Sequence, residues 1–408
     1  MSAAAPRRDG QRARHVALVA PHYRPETNAA AHRVTALAES LAAAGRQVTM
    51  ITTLPHYPQY RVYDGYDVPG RMETEEGGVR VVRLRPRIAP KTSLPLRLLA
   101  ELWFCLRAYM LLLRARPDVV VASSPYMFLG PMGLLAARLV GARFAWDVRD
   151  LTWLYPRAVG KRTFGLDRAL ERLMLWTARR CDALTTATEG LLTYFERRPE
   201  LSAVVPNGVS DAWLDRLAAL PAPGDAPQVL YAGLLGYNHA LATLVDAARL
   251  LPDVPFALAG DGPERAELEE RALRHGLTNV TFLGYLGPDE LVEAYSRATV
   301  LVSHVRKHDL YHWTQPAKLW EYMATGRPVV HAGEGEAVRI VDENGVGVTV
   351  PPEDPDALAA AIAGLVRDPA AGRQLGARAR GFVSRARRRS LLLAEHVALL
   401  ERLAATER

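Results

Sequence analysis

A lone ammonium group and a carboxylate one helical turn apart give the sharpest chemical signal in the sequence. Lys318 and Glu321 stand in the run Thr314-Gln315-Pro316-Ala317-Lys318-Leu319-Trp320-Glu321-Tyr322-Met323-Ala324-Thr325-Gly326. Pro316 suits a first helical position, where its missing N–H costs nothing, and Gly326 suits the stop. A helix start carries free N–H groups and the positive end of the dipole, and Lys318 adds a full charge there. Glu321 at i+3 shares its face. Cation and carboxylate together suit a nucleotide diphosphate and its ribose diol; the same pair also reads as a surface ion pair worth about 0.3–0.5 kcal/mol. Just upstream, His304-Val305-Arg306-Lys307-His308-Asp309 gathers basic groups that suit a phosphate, Arg306 among them. Its histidines and Asp309 match no helical metal-ligand spacing.

Three further loops carry candidates. Tyr231-Ala232-Gly233-Leu234-Leu235-Gly236 ends a strand in a turn where Gly233 and Gly236 allow a phosphate or sugar to come close, although tight strand-to-helix turns need such glycines without any ligand. In Ala259-Gly260-Asp261-Gly262-Pro263, Asp261 is expected to cap a helix opening at Pro263. His22 and Arg24 lie in the loop Pro21–Asn28, either facing a cleft or in solvent. That loop has no Gly-x-Gly-x-x-Gly, which argues against a nicotinamide or flavin enzyme. Asp147, Arg149 and Asp150 stand together in Trp146-Asp147-Val148-Arg149-Asp150-Leu151. Two carboxylates and an arginine at a strand's end read either as general-base and substrate-orienting groups or as a salt-bridged strand end.

The elements that must hold these residues alternate. His15–Ala20, Val48–Thr52, Val79–Leu84, Val119–Ala122, Phe144–Trp146 and Ala183–Thr186 are short apolar runs, expected as buried strands, with helices over 30–44, 96–114, 130–140 and 167–180. A second series places strands at Val229–Ala232, Phe256–Ala259, Val280–Leu283, Val300–Ser303, Pro328–His331 and Val346–Val350. Its helices fall at 240–250, 263–275, 289–297 and 316–325. Strand–helix–strand units imply parallel sheets with right-handed crossovers, hence an α/β chain of two doubly wound domains with a cleft between them. The expected bounds are 1–205, 206–389 and a last helix, 390–408, packing back on the first domain.

Composition narrows the classes. At 408 residues and 49% hydrophobic, the chain is long enough for two or three cores. Two cysteines make no disulfide framework or zinc site, which fits a reducing, cytoplasmic setting. The charge is +7, yet four lysines stand against forty-seven scattered arginines with no basic stripe and interleaved aromatics, so nucleic acid is not expected as a partner. Residues 1–14 are basic and unpatterned and lack a signal core. Leu94–Leu113 holds Arg97, Glu101 and Arg107, too many charges for a span, so it reads as an amphipathic helix that either covers a sheet or lies on a membrane surface.

With these pieces in order, the chain resembles the GT-B glycosyltransferases of family 4. The likeness runs through Pro21–Arg33, Leu54-Pro55-His56-Tyr57-Pro58, Ser123-Ser124-Pro125, Val148–Leu151, Val205–Val209, Tyr231–Gly236, Gly260–Pro263, Asn279–Gly284 and Pro316–Val330. It implies two Rossmann-like domains, an acceptor-binding one first and a nucleotide-sugar-binding one second. It implies retaining transfer of a sugar from a nucleoside diphosphate sugar, with no metal or other cofactor. Its closest subgroup, which adds hexosamine-type sugars in bacterial polysaccharide pathways, implies a UDP-sugar. On this basis Lys318, Asp147 and Asp150 are the expected catalytic groups. Gly233, Gly236, Tyr285, Arg306, Lys318 and Glu321 would take the donor, and His22, Arg24, Asn28, His56 and Arg149 the acceptor. That acceptor is a lipid-linked saccharide at the membrane or a soluble small molecule. The pattern departs at Trp313, where many members carry a glutamate, and at Asn28-Ala29, which replaces a glycine pair. A sugar-nucleotide epimerase and a non-catalytic nucleotide-sugar sensor are the alternative readings.

Overall fold

The computed structural model describes residues 15–57, 59–89, 94–154, 165–224 and 226–405. The reading of residues 1–14, like Pro58, Lys91 and Lys161, lies outside the described residues. The chain divides into two units, Met1–Pro206 with Leu393–Arg408, and Asn207–Leu392.

In the first unit the strands are β1 (His15–Val19), β2 (Gln47–Thr53), β3 (Arg71–Glu76), β4 (Val79–Leu84), β5 (Val119–Ser123), β6 (Arg143–Val148), β7 (Ala183–Thr186) and β8 (Ser202–Val204). They form one sheet in the order β3-β4-β2-β1-β5-β6-β7-β8. Every pairing is parallel except β3 with β4. The inner strands are buried along most of their length and largely apolar because helices cover both faces. On one side lies α1 (Ala29–Ala43), whose Val34, Leu37 and Leu41 meet Val16 and Leu18. The other side carries α2 (Leu94–Ala115), α3 (Leu129–Val140) and α4 (Leu166–Arg180). Here α3 sits hard against the sheet: a Cβ on Gly130 would come 2.5 Å from Trp146, and one on Gly133 2.7 Å from Phe144. A short helix, α5 (Glu189–Tyr194), precedes β8.

The second unit holds β9 (Val229–Ala232), β10 (Phe256–Ala259), β11 (Val280–Gly284), β12 (Val300–His304), β13 (Val329–Ala332) and β14 (Val348–Val350), all parallel, in the order β11-β10-β9-β12-β13-β14. Its helices are α6 (Asp211–Ala218), α7 (Ala242–Arg249), α8 (Arg265–Arg274), α9 (Pro288–Arg297), α10 (Ala317–Ala324), α11 (Glu336–Asn344), α12 (Pro355–Arg367) and α13 (Pro369–Ala386). The last helix, α14 (Arg389–Ala405), places Leu393, Leu399, Leu400 and Leu403 in the core of the first unit, and Arg46 reaches its Glu401 at 2.7 Å.

Both units are therefore doubly wound α/β sheets, as the strand–helix alternation implies. Details differ. The polar edge strand β3 has no apolar run to announce it, and β8 is only three residues long. Asp261 does not cap α8: it accepts the amide of Gly262, and the helix opens later, at Arg265. Pro316 is the residue before α10, with ψ 125°, instead of its first helical residue. No helix among the described residues is long and apolar enough to cross a membrane.

Candidate functional site

The second sheet reverses its strand order between β9 and β12, and open α/β sheets bind ligands beyond the strand ends at such a point. There the ammonium of Lys318 donates to the hydroxyl of Tyr231, at the end of β9. It lies 4.2 Å from the centroid of that ring and 3.5 Å from Nε2 of His239. A Cβ on Gly233 would stand 2.5 Å from Nζ, so the glycine makes room for the cation. Tyr322 fixes the helix that carries Lys318. Its hydroxyl accepts the amide of Ala232 at 2.7 Å and donates to the carbonyl of the same residue at 2.6 Å. His239 donates from Nδ1 to the carbonyl of His304 at 3.2 Å, which leaves Nε2, the nitrogen facing Lys318, as an acceptor. Burial, then the charge of Lys318, brings His239 down to about 3, so the ring is neutral. Burial brings Lys318 itself down to about 7 against the pull of Glu321. The Glu321 carboxyl is raised by burial against the pull of Arg389 and Lys318.

Lys318 thus turns to Tyr231 and His239, and the surface-pair reading of Lys318 with Glu321 gives way to a half-buried cation at the strand switch. The glycines do different work from that expected. Gly260 has φ +132°, and any Cβ on it would overlap the carbonyl of Gly233; one on Gly262 would overlap that of Leu235. The two strand-end turns interlock backbone against backbone, and the space above Gly233 belongs to Lys318. Arg306 staples the loops after β12 and β9: Nε donates to the carbonyl of Tyr237 at 2.7 Å and the guanidinium lies 3.8 Å over its ring centroid. Glu264 and Glu353, each at 3.9 Å, already face its charge. Gly236 packs on the side chain of Leu234, and Tyr285 is exposed.

In the first unit the loops after β1 and β2 close around Glu26, which the sequence reading passed over. This buried carboxylate accepts His22 Nδ1–H at 2.6 Å, the amides of His56 and Tyr57 at 2.8 and 2.9 Å, and Nδ2 of Asn28 at 3.3 Å. Burial works to raise its pKa, but the hydrogen bond and charge of His22 and the two amides hold it below the usual range. The His22 ring is therefore fixed with Nε2 directed away from Glu26. His56 is buried and donates from Nδ1 to the carbonyl of Leu54 at 3.0 Å. Asn28 caps α1 by accepting the amide of Ala31. Arg24 pairs with Glu39 and Glu76. Of the expected acceptor groups here, His22 and His56 each engage through Nδ1, while Arg24 is paired with Glu39 and Glu76 and Asn28 caps α1.

Asp147 and Arg149 are corrections. Asp147 is 2% exposed and accepts from Arg33 at 2.8 Å, Ser123 at 2.7 Å and Thr185 at 3.0 Å. Burial opposes ionisation, yet the charges of Arg33 and Arg149 hold its carboxyl far below the ordinary range. A carboxylate so engaged takes no proton from an acceptor. Arg149 is buried as well, donates to the carbonyl of Val205 at 2.6 Å and is lowered to about 10 by burial and by Arg33. The pair ties the ends of β5, β6 and β7 to α1. Asp150, next in the chain, is exposed.

Comparison with known proteins places the chain. Residues 28–208 match the family described as glycosyl transferase 4-like domain, and residues 226–368 match glycosyl transferases group 1. The putative colanic acid biosynthesis glycosyl transferase WcaI of Escherichia coli K12 is 29% identical over 84% of this chain and 89% of its own. The 2-deoxystreptamine glucosyltransferase of Streptomyces kanamyceticus is 29% identical over 58% of this chain and 65% of its own. Among solved structures, sucrose-phosphate synthase from Thermosynechococcus elongatus superposes with a TM-score of 0.74 at 24% identity, covering 97% of this chain and all of that one. Matches that take in both sheets, to families and relatives named for sugar transfer, establish that the chain belongs to the family 4 glycosyltransferases of GT-B fold.

Proposed function

We propose that the enzyme transfers a hexosamine such as N-acetylglucosamine from a UDP-sugar to an acceptor hydroxyl, with retention of configuration and without a metal ion. The observation that carries this reading is the Lys318 ammonium held at the switch point of the second sheet by Tyr231 and His239. A diphosphate leaving group needs positive charge at that position. Lys318 and the first amides of α10 would take the diphosphate, Glu321 the ribose hydroxyls, and the backbone near Gly284 and Tyr285 the base. Preorganised donors aimed at the developing charge are each worth roughly 3–4 kcal/mol of barrier. His22, oriented by Glu26, and the exposed carboxylate of Asp150 would orient the acceptor. The relatives named for colanic acid and for 2-deoxystreptamine support a saccharide or aminocyclitol acceptor in surface polysaccharide or natural-product synthesis.

Thermal-shift titration with UDP-, GDP- and dTDP-sugars tests the donor: UDP-N-acetylglucosamine should raise Tm, and a shift only with GDP- or dTDP-sugars would remove the assignment. Lys318→Ala should lower turnover at least about tenfold, and by about 100- to 1,000-fold if its contact has the full worth of such a donor; near-normal turnover would refute its role. Interconversion of the donor with no acceptor present would point instead to an epimerase, and binding with no turnover to a sensor.

A further inference from the structure

Of the twenty large hydrophobic side chains exposed among the described residues, six lie on α2, two on α3 and three on α4. More than half of the exposed apolar groups thus stand on three helices. Along α2 they follow a helical stripe, with Leu96, Leu99, Trp103, Leu106 and Met110 outward and Phe104, Cys105, Ala108 and Leu112 inward. Leu135 and Leu139 continue the stripe on α3, which packs against both α2 and α4 and is seated on β5 and β6. Leu173 and Trp176 extend it on α4. A helix that only covers a sheet has no need of a second, outward apolar stripe, and monomeric surfaces rarely carry one this continuous.

Charge decides what the stripe faces. Seven charged side chains on the three helices are exposed, and all seven are arginines, Arg97, Arg114, Arg168 and Arg172 among them. The acidic residues turn inward: Asp167 is buried, Glu101 accepts the amide of Met127, and Glu171 accepts the hydroxyl of Tyr194. Both tryptophans have an arginine over the ring, Arg87 at 4.1 Å from Trp103 and Arg180 at 4.8 Å from Trp176. Apolar side chains, aromatic rings at the polar boundary and uniformly positive charge match an anionic lipid surface, with the rings at headgroup depth and the guanidinium groups on phosphates. A second copy of the same face would set arginine against arginine.

We propose that the outer face of α2, α3 and α4 docks on the anionic headgroup layer of a lipid bilayer. This stands whether or not the donor and mechanism proposed above are right, since binding needs no turnover.

Flotation of the full chain with vesicles tests it. The chain should float with phosphatidylcholine vesicles that contain phosphatidylglycerol at low salt, at least about tenfold more than with phosphatidylcholine alone, and should detach at high salt. The triple variant Leu99→Ser, Leu106→Ser, Leu139→Ser and the double variant Arg168→Glu, Arg172→Glu should keep the wild-type Tm, these being exposed positions, and should lose flotation. Absence of wild-type flotation at low salt, or flotation untouched by both variants, overturns the proposal. So does light scattering that shows a dimer which the serine variant splits, with no vesicle binding, since the face then belongs to a second copy.

Discussion

Lys318 is held in its place at a cost. Its folded pKa of about 7 lies below the 10.5 of a free lysine, so the unfolded chain holds more of that proton between these values. Stability accordingly rises as pH climbs from 7 toward 10.5, and at neutral pH the group works against folding. Lys318→Met should therefore raise the melting temperature of the ligand-free enzyme at pH 7, by about 2–4 °C for each kcal/mol recovered. The gap to wild type should narrow by pH 9.5, while stabilisation by a UDP-sugar disappears; a variant that melts lower at pH 7 would make Lys318 a structural residue. The sequence shows this lysine plainly, as one of four in an arginine-rich chain. It does not show Tyr231 or His239, which arrive from 87 and 79 residues away. Nor does it show that Asp147 is spent on Arg33, because a carboxylate at a strand end looks the same whether its partner is a substrate or a buried guanidinium 114 residues distant.

Among elements, periodicity and stop signals locate the long apolar strands and most helices, since burial on both faces leaves a readable run. They miss β3, whose residues alternate between half-exposed and exposed at the sheet edge, and the short β8. They also leave ambiguous why a turn carries glycine. At Gly260 the answer is contact between two turns, and Gly260→Ala should cost about 1–3 kcal/mol or more through overlap with the Gly233 carbonyl. Gly364, inside α12 with open space around its missing side chain, provides the contrast. Gly364→Ala should stabilise by about 0.5–1 kcal/mol, the ordinary helix-interior difference. Denaturant midpoints check both, and equal, mild effects would mean that the turns can separate without loss.

At the scale of the whole molecule, buried neutral histidines set the acid limb of stability. His304, His331 and His396 are each 1% exposed or less, and burial takes them to about 3, 4 and 4. Each folded value lies below the 6.5 of the unfolded chain, which takes up protons first. Stability is thus lost as pH falls from about 6.5 toward 4, at up to about 1.4 kcal/mol per pH unit per site. Neither ring nitrogen of His396 has a hydrogen-bond partner among the described residues. His396→Leu should leave Tm at pH 7 unchanged or higher and make its decline to pH 5 shallower; an unchanged slope would mean that His396 is charged in the folded state. The two-sheet plan was legible as a whole because alternation of strand and helix leaves few topologies open. The seating of α14 has a temporal consequence. Its leucines complete the first unit's core, yet they leave the ribosome nearly two hundred codons after Pro206, roughly 10–40 s at cellular elongation rates. For that interval the nascent amino-terminal sheet lacks the apolar cover that Leu393, Leu399, Leu400 and Leu403 supply.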